Sequence, residues 1–381
     1  MFSGSYRPED VAILLKPRVE TTRVDVATKE ALIQSGTKHY SEMISPESLP
    51  STQYLELFHQ SWRRNGDRMA SDLLLLAALI AENKQGSITL VSLARAGTPV
   101  GVILKRLLSG VFNRETHHYS VSIIRDRGID MVAMDHILSQ GHKDQSIVFI
   151  DGWTGKGVIT RELKDSIAHY NLSRGKRIDE SLWVLADLAG VAAQSATQDD
   201  YLIPSSILNA TVSGLISRSI LDEQIGIEDF HGCLYYREFE PADVSLQFAD
   251  DMTGRAINSL GANREASLDL VKAAAKAHGD IKAVMQRKEL VEQLMRDVMR
   301  DNAVSDINHI KPGIGEATRV LLRREPGLLL IAEGDKNDDV QHMVVLAEEK
   351  GIPVDTRTDL GPYQAIAIIK NLKKGLNNAP C

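Results

Sequence analysis

The residues best equipped for chemistry lie in Ser146-Ile-Val-Phe-Ile-Asp-Gly-Trp-Thr-Gly-Lys-Gly-Val-Ile-Thr160. The apolar run Ile147 to Ile150 reads as a buried strand, with Asp151 at its end. Gly152, Thr154, Gly155 and Gly157 then form a turn of small and hydroxyl residues, and a helical run starts at Val158. This layout builds an anion hole: glycines let the backbone approach closely, successive amides point inward, and the helix start adds positive potential. A phosphate would rest on Thr154, Gly155, Lys156 and Gly157, and Asp151 is set to accept from sugar hydroxyls. The stretch is not a P-loop, which needs four residues between its first Gly and Gly-Lys-Ser/Thr. Here two residues separate Gly152 from Gly155, and Gly157 replaces the Ser/Thr. A dinucleotide fingerprint is also absent at this turn. An ordinary tight strand-to-helix turn is the other reading of the same residues.

A second unit of this kind precedes it. Ser87 to Leu93 reads as a strand that runs into Ala94, Arg95, Ala96 and Gly97, with a helix from Val102 to Leu108. Arg95 adds a charged bidentate donor, although Gly-Thr-Pro is also a good helix start. Two such units, one βαβ length apart, would put two backbone cradles at neighbouring strand tips. Between them Tyr119 to Ile124 alternates like a strand, and Arg125 and Arg127 follow at its carboxyl end. They fit a polyanionic ligand or a solvated salt-bridging turn. His117 and His118 read as a surface pair. Thr197 to Ser219 has the polar composition of a lid or a substrate-specificity segment. His231 and Cys233, two apart, share a face if their segment is a strand, which is the minimal grouping for a thiol nucleophile. A buried cysteine beside a structural histidine is the commoner arrangement.

The elements that must position these residues follow from periodicity and composition. With 381 residues, 43% hydrophobic and 25% charged, the chain has material for two or three folded domains. Its net charge of -7 supplies no global field for nucleic acid, so such binding needs a local patch. Two cysteines, Cys233 and Cys381, make neither a disulfide framework nor a metal-ligand cluster. The start of the chain lacks a cationic-then-apolar signal, and no apolar window is long enough for a membrane span, so a reducing cytoplasm is expected. Helical periodicity runs from Tyr54 to Asn65 and again from Arg68 to Glu82. Strands and helices alternate to residue 262, which predicts an α/β class with a mostly parallel sheet flanked by helices. Residues 263–300 read as a helical connector and 301–381 as a smaller α/β unit.

The turn at Asp151 resembles the ribose-5-phosphate loop of phosphoribosyltransferases, with one acid where two adjacent ones are usual, and Ala94 to Gly97 resembles the diphosphate loop of the same family. Gly313-Ile-Gly-Glu-Ala-Thr-Arg319, Leu328 to Gly334 and Ala347 to Pro353 resemble the Pelota-type RNA-binding module, related to kink-turn-binding ribosomal proteins. With Ser3-Gly-Ser-Tyr, His39-Tyr-Ser-Glu-Met and Ile123-Ile-Arg-Asp-Arg-Gly-Ile-Asp, the whole chain resembles the phosphoribosyltransferase family with a C-terminal Pelota domain. That family is linked to tellurite-resistance and stress operons, and its members are also labelled cysteine protease StiP. The resemblance implies transfer of ribose-5-phosphate from phosphoribosyl diphosphate to a base-like acceptor, with Mg2+ bridging the diphosphate. It implies catalytic roles for Asp151, Arg125 and Arg127. Ala94, Arg95, Ala96 and Gly97 would hold the leaving group and Thr154 to Gly157 the 5-phosphate. Gly313, Gly315, Glu316, Thr318 and Arg319 would meet RNA. The alternatives are a thiol hydrolase using Cys233 with His231, and a non-catalytic nucleotide-sensing RNA adaptor; assembly with further copies is open.

Overall fold

A computed structural model describes residues 2–18, 24–45, 47–279, 281–334 and 338–370. In chain order the first unit contains β1 (Ala12–Leu14), β2 (Lys16–Arg18), α1 (Val26–Ser35), α2 (Thr52–Asn83), β3 (Ile88–Ala94), α3 (Gly97–Gly110), β4 (Thr116–Ile124) and β5 (Gly128–Ile129). It continues through α4 (Met131–Ser139), β6 (Ile147–Thr154), α5 (Val158–Arg174), β7 (Leu182–Asp187), β8 (Gln194–Thr197), β9 (Gly232–Leu234) and α6 (Ser245–Asn258). Then come α7 (Arg264–Ala277), α8 (Ile281–Asp301), β10 (Ile310–Pro312), α9 (Ile314–Arg323), β11 (Pro326–Ala332), α10 (Gln341–Glu349), β12 (Val354–Arg357) and β13 (Ala365–Ile369).

The central sheet runs β1-β4-β3-β6-β7-β8 with all neighbours parallel, and β5 adds antiparallel to β4. Strand alternation divides its side chains: Val148 and Ile150 enter the core under α2, α3 and α6, while Ile147 and Phe149 meet α4 and α5 on the opposite face. The expected mixed α/β class with a mostly parallel sheet is therefore present. β3 and β6 are neighbours, with Ser92 beside Ile150, so both predicted cradles open at one edge of the sheet.

Several elements differ from the sequence reading. The two helices expected on either side of Gly66 are one helix, α2, capped by Ser51, whose Oγ accepts from the Tyr54 amide. Gly66 does not break it. Its bare Cα lets Arg255 and Met252 of α6 come close, both 3.3 Å from where a Cβ would stand. His118 is no surface histidine: it is buried, its Nδ1 2.9 Å from Asp10 O and its Nε2 2.8 Å from Ser92 Oγ. The segment expected as a lid is interior. Ile203, Ile207, Leu208 and Val212 are all buried, and Asn65 Nδ2 holds Leu202 O at 2.9 Å.

The expected connector helices pack back onto the first unit. α7 lies along α2, and Arg287 of α8 donates to Gln198 O. The C-terminal sheet runs β10-β13-β11-β12, mixed in direction, under α9 and α10. Its core is continuous with that of the first unit. Among the described residues no helix is long and apolar enough to cross a membrane.

Candidate functional site

At the carboxyl edge of β3, β4 and β6 a cleft of about 380 Å³ opens between the two units. Ala94, Arg95 and Ala96 form one wall and Asp151 with Thr154 to Thr160 the floor. Arg125 and Arg218 lie on the first-unit side, and Lys311, Glu316, Arg319 and Arg323 come from the C-terminal unit.

The floor is built as the sequence implied. Gly157 adopts a left-handed φ of 80° and caps α5 without any side-chain hydrogen bond. The ladder of α5 starts only at the Arg161 amide, which donates to Gly157 O. The first-turn amides thus face the cleft without an intrahelical partner. Gly97 is forced by contact: a Cβ there would stand 2.5 Å from Ile150 O. The backbone of the β3–α3 turn therefore lies directly on the tip of β6.

The side chains of that floor are used differently from the expectation. Thr154 ends β6, and its hydroxyl donates to Asp187 Oδ1 at 2.6 Å while accepting from the Ala189 amide at 3.1 Å. That hydroxyl is consumed in tying β6 to β7. Lys156 donates to Ile310 O at 2.7 Å and to Ile307 O, so it fastens the loop to the C-terminal unit. Burial, with Lys311 nearby, pushes its ammonium down to about 6. What remains for an anion in this loop is backbone.

Asp151 lines the cleft and accepts from the Gly152 amide at 2.8 Å. Burial pushes its carboxyl up to about 7, so it exchanges a proton near neutrality. Arg125 stands over the Tyr40 ring at 5.3 Å and pairs with Asp126. Arg127 does not join them: it leaves the cleft to pair with Glu42 at 2.9 Å.

The residues expected to meet RNA face inward. A Cβ on Gly315 would stand 2.9 Å from the Trp153 ring, and Arg319 stacks over that ring at 4.6 Å. Glu316 lies against Gly155 and pairs with Arg319 at 3.3 Å. Thr318 is buried, its Oγ1 2.7 Å from His342 Nε2. Asp200 of the first unit accepts from the Ile314 amide at 3.0 Å and the Gln364 amide at 2.8 Å, at the start of α9 beside Gly313. Tyr363 Oη completes the joint on Gly155 O at 2.7 Å.

Cys233 and His231 lie outside the cleft. Cys233 is fully buried in β9, which pairs with β2, and burial pushes its thiol up to about 12. His231 is buried, its Nδ1 2.7 Å from Ser122 Oγ and its amide on Asp130. No hydrogen bond joins the two among the described residues. Cys381 lies outside those residues. No group of three or more His, Cys, Asp or Glu converges as a metal cage among them.

Among the cleft residues the sequence reading missed are Arg218, Lys311 and Arg323, and it also missed Glu47, which backs Arg95. Arg95 pairs with Glu47 at 2.6 Å and donates to Ile216 O at 2.8 Å. Arg218 donates to Met43 O and lies 5.4 Å from the Tyr40 ring. For Arg323 a signal existed: it stands four residues after Arg319, on the same helical face.

Fold and site together define a two-unit α/β protein whose shared cleft is rich in cations. Residues 4–253 match the family described as tellurite-like stress resistance cysteine protease StiP, and residues 290–371 match the PELOTA RNA binding domain. A relative from Acinetobacter baylyi, named Cysteine protease StiP, is 39% identical over 98% of this chain and 96% of its own length. The chain belongs to the StiP family. Among solved structures, hypoxanthine phosphoribosyltransferase from Trypanosoma cruzi is similar at 12% identity over 52% of this chain and 93% of its own, with a TM-score of 0.27. An aromatic aminotransferase from Pyrococcus horikoshii is similar at 12% identity over 94% and 91%, with a TM-score of 0.23. The expected transfer of ribose-5-phosphate is overturned: family and relative alike are named for a cysteine protease. The structure adds a reason of its own, since Thr154 and Lys156 are spent on internal bonds.

Proposed function

We propose that this StiP-family protein works by capturing a small, multiply anionic, phosphate-bearing ligand in the cleft between its units. The observation that supports this best is the charge balance of the cleft. Arg95, Arg125, Arg218, Arg319, Arg323, Arg324 and Lys311 line it, against Glu316, Asp306 and a carboxyl at Asp151 that burial holds half-protonated near neutrality. Burial and mutual repulsion lower the proton affinity of Arg218, to about 10, and of Lys311 and Arg319. An anion relieves both costs at once. The open first-turn amides of α5 supply directional donors for one oxoanion. A Mg2+ ion that travels with such a ligand would find Asp151 as its carboxylate, with the ligand's own oxygens completing the shell.

The test is a thermal melt of the full chain against inorganic phosphate, pyrophosphate, AMP and neutral adenosine. Phosphate-bearing ligands should raise Tm with concentration, by about 2.7 kcal/mol of stability at a hundredfold excess over Kd, and adenosine should not. No shift with any of the anions would sink the reading.

The relative's name supports a second reading, cysteine-dependent hydrolysis. The pair available to it is Cys233 with His231, and the thiol must first become exposed, because buried in β9 it is neither ionised nor reachable.

A further inference from the structure

Arg323 is the least compensated guanidinium in the cleft. It ends α9, and among the described residues no carboxylate pairs with it. Its Nε and Nη2 are buried without a hydrogen-bond partner, and so are Arg218 Nη1 and Arg319 Nε. The neighbouring cations have anchors of their own. Arg95 is held by Glu47 and Ile216 O, Arg218 by Met43 O, and Arg319 by Glu316 and the Trp153 ring. Four guanidinium groups therefore share two carboxylates; two of the free N–H groups belong to Arg323 and one each to Arg218 and Arg319, and among the described residues Arg323 and Arg218 are the two that no carboxylate pairs. Those two residues come from different units and are fixed by separate elements.

A buried guanidinium without a partner is costly, and a planar fork is best satisfied by two oxygens of one oxoanion. We propose that Arg323 and Arg218, steadied by Arg95, form a recessed pocket for one dianionic phosphate group, so that the C-terminal unit supplies a ligand-binding residue to the cleft of the first. The proposal rests on the reading that the cleft takes a phosphate-bearing anion, and it assigns the group that determines specificity. The pocket is separate from the amides at the start of α5. It selects tetrahedral dianions over monoanions such as chloride, because one fork alone can be satisfied by a monoanion and two cannot.

Calorimetry of the full chain with inorganic phosphate and, separately, with AMP tests this in wild type, Arg323→Gln and Arg323→Lys. Wild type should bind at least one of the two. Arg323→Gln should weaken that binding tenfold or more, and Arg323→Lys, which keeps the charge without the fork, several-fold. Weakening for phosphate assigns the pocket to the free ion, and weakening for AMP alone assigns it to the phosphate of a larger ligand; either supports the proposal. Without ligand, Arg323→Gln should melt higher than wild type, because it removes an unpaired buried charge. If neither variant folds, phenylglyoxal labelling of wild type decides: Arg323 should be modified in the free protein and protected by the bound anion. Absence of any binding by wild type would overturn the cleft reading itself. Binding by wild type that is unchanged in Arg323→Gln, or labelling without protection, would overturn this assignment alone.

Discussion

Cys233 sits in a three-residue strand with its neighbours Gly232 and Leu234 also buried, and among the described residues burial alone shifts its thiol. A thiol pushed up to about 12 from an ordinary value of 9.0 holds roughly a thousandth of the usual thiolate at neutral pH. Iodoacetamide should therefore alkylate Cys233 about a thousandfold more slowly than a free cysteine at pH 7.5, as followed by mass spectrometry of its peptide. Rapid labelling would mean that the thiol is activated and would revive it as a resting nucleophile. Asp151 titrates in the opposite setting, at the cleft. Its folded-state value of about 7 lies above the ordinary 3.8, so the folded chain holds an extra proton between those limits. Its contribution to stability is complete below about pH 4 and is lost as pH rises through 7. Asp151→Asn should thus leave the melting temperature unchanged near pH 4 and raise it at pH 8. The gain should be on the order of 2 kcal/mol once solvent in the cleft is allowed for. Asp200, also raised to about 7, keeps a similar slope in the variant, so the difference between the two melts isolates Asp151. A wild-type curve parallel to that of Asp151→Asn would contradict this.

At the scale of elements, the two strand-turn-helix units were legible because each packs its signals into about twenty consecutive residues. Apolar runs gave β3 and β6, and the glycines gave the turns where the backbone must come close. The contact that makes them one site was not legible, since Gly97 and Ile150 meet only once β3 and β6 pair. That contact is testable. In Gly97→Ala the new methyl would stand 2.5 Å from Ile150 O and 3.1 Å from the Asp151 Cα, both backbone atoms that cannot swing aside. Urea unfolding should show a loss of ~2 kcal/mol or more, with weaker anion binding; a variant within ~0.5 kcal/mol of wild type would show that the turns are not wedged together. Other elements misled for a physical reason of the same kind. Gly66 has the composition of a helix break, yet it serves the approach of α6, a partner nearly two hundred residues away. The hydroxyl-rich run before Arg218 looks solvated until α2 and α6 close over it. The pocket around Arg323 is assembled from residues near 47, 95, 218 and 323, and no local spacing records that meeting.

For the whole molecule the main consequence is that the C-terminal unit is built into the first. The start of α9, with Gly313, Gly315 and Glu316, is pressed on Leu188, Trp153 and Gly155, and the Asp200 carboxylate already occupies its leading amide. A carboxylate at that position takes the place of any phosphate that would bind a helix start. In an acidic chain with net charge -7, a long polyanion meets repulsion outside and a closed joint within. A small phosphate-bearing ligand needs only the cleft mouth. RNA should therefore reach this face of the PELOTA-matching unit only when the joint opens. Asp200→Ala combined with Lys156→Ala removes the Ile314 and Gln364 acceptor and the ties to Ile307 and Ile310. Hydrogen exchange over residues 310–322 should quicken in the double variant, and filter binding of a short structured RNA should strengthen at least tenfold over wild type. A wild-type chain that holds RNA as tightly as the variant would place nucleic-acid recognition elsewhere on the unit. If that binding were also indifferent to Arg319→Gln, the face of α9 would belong to the cleft alone.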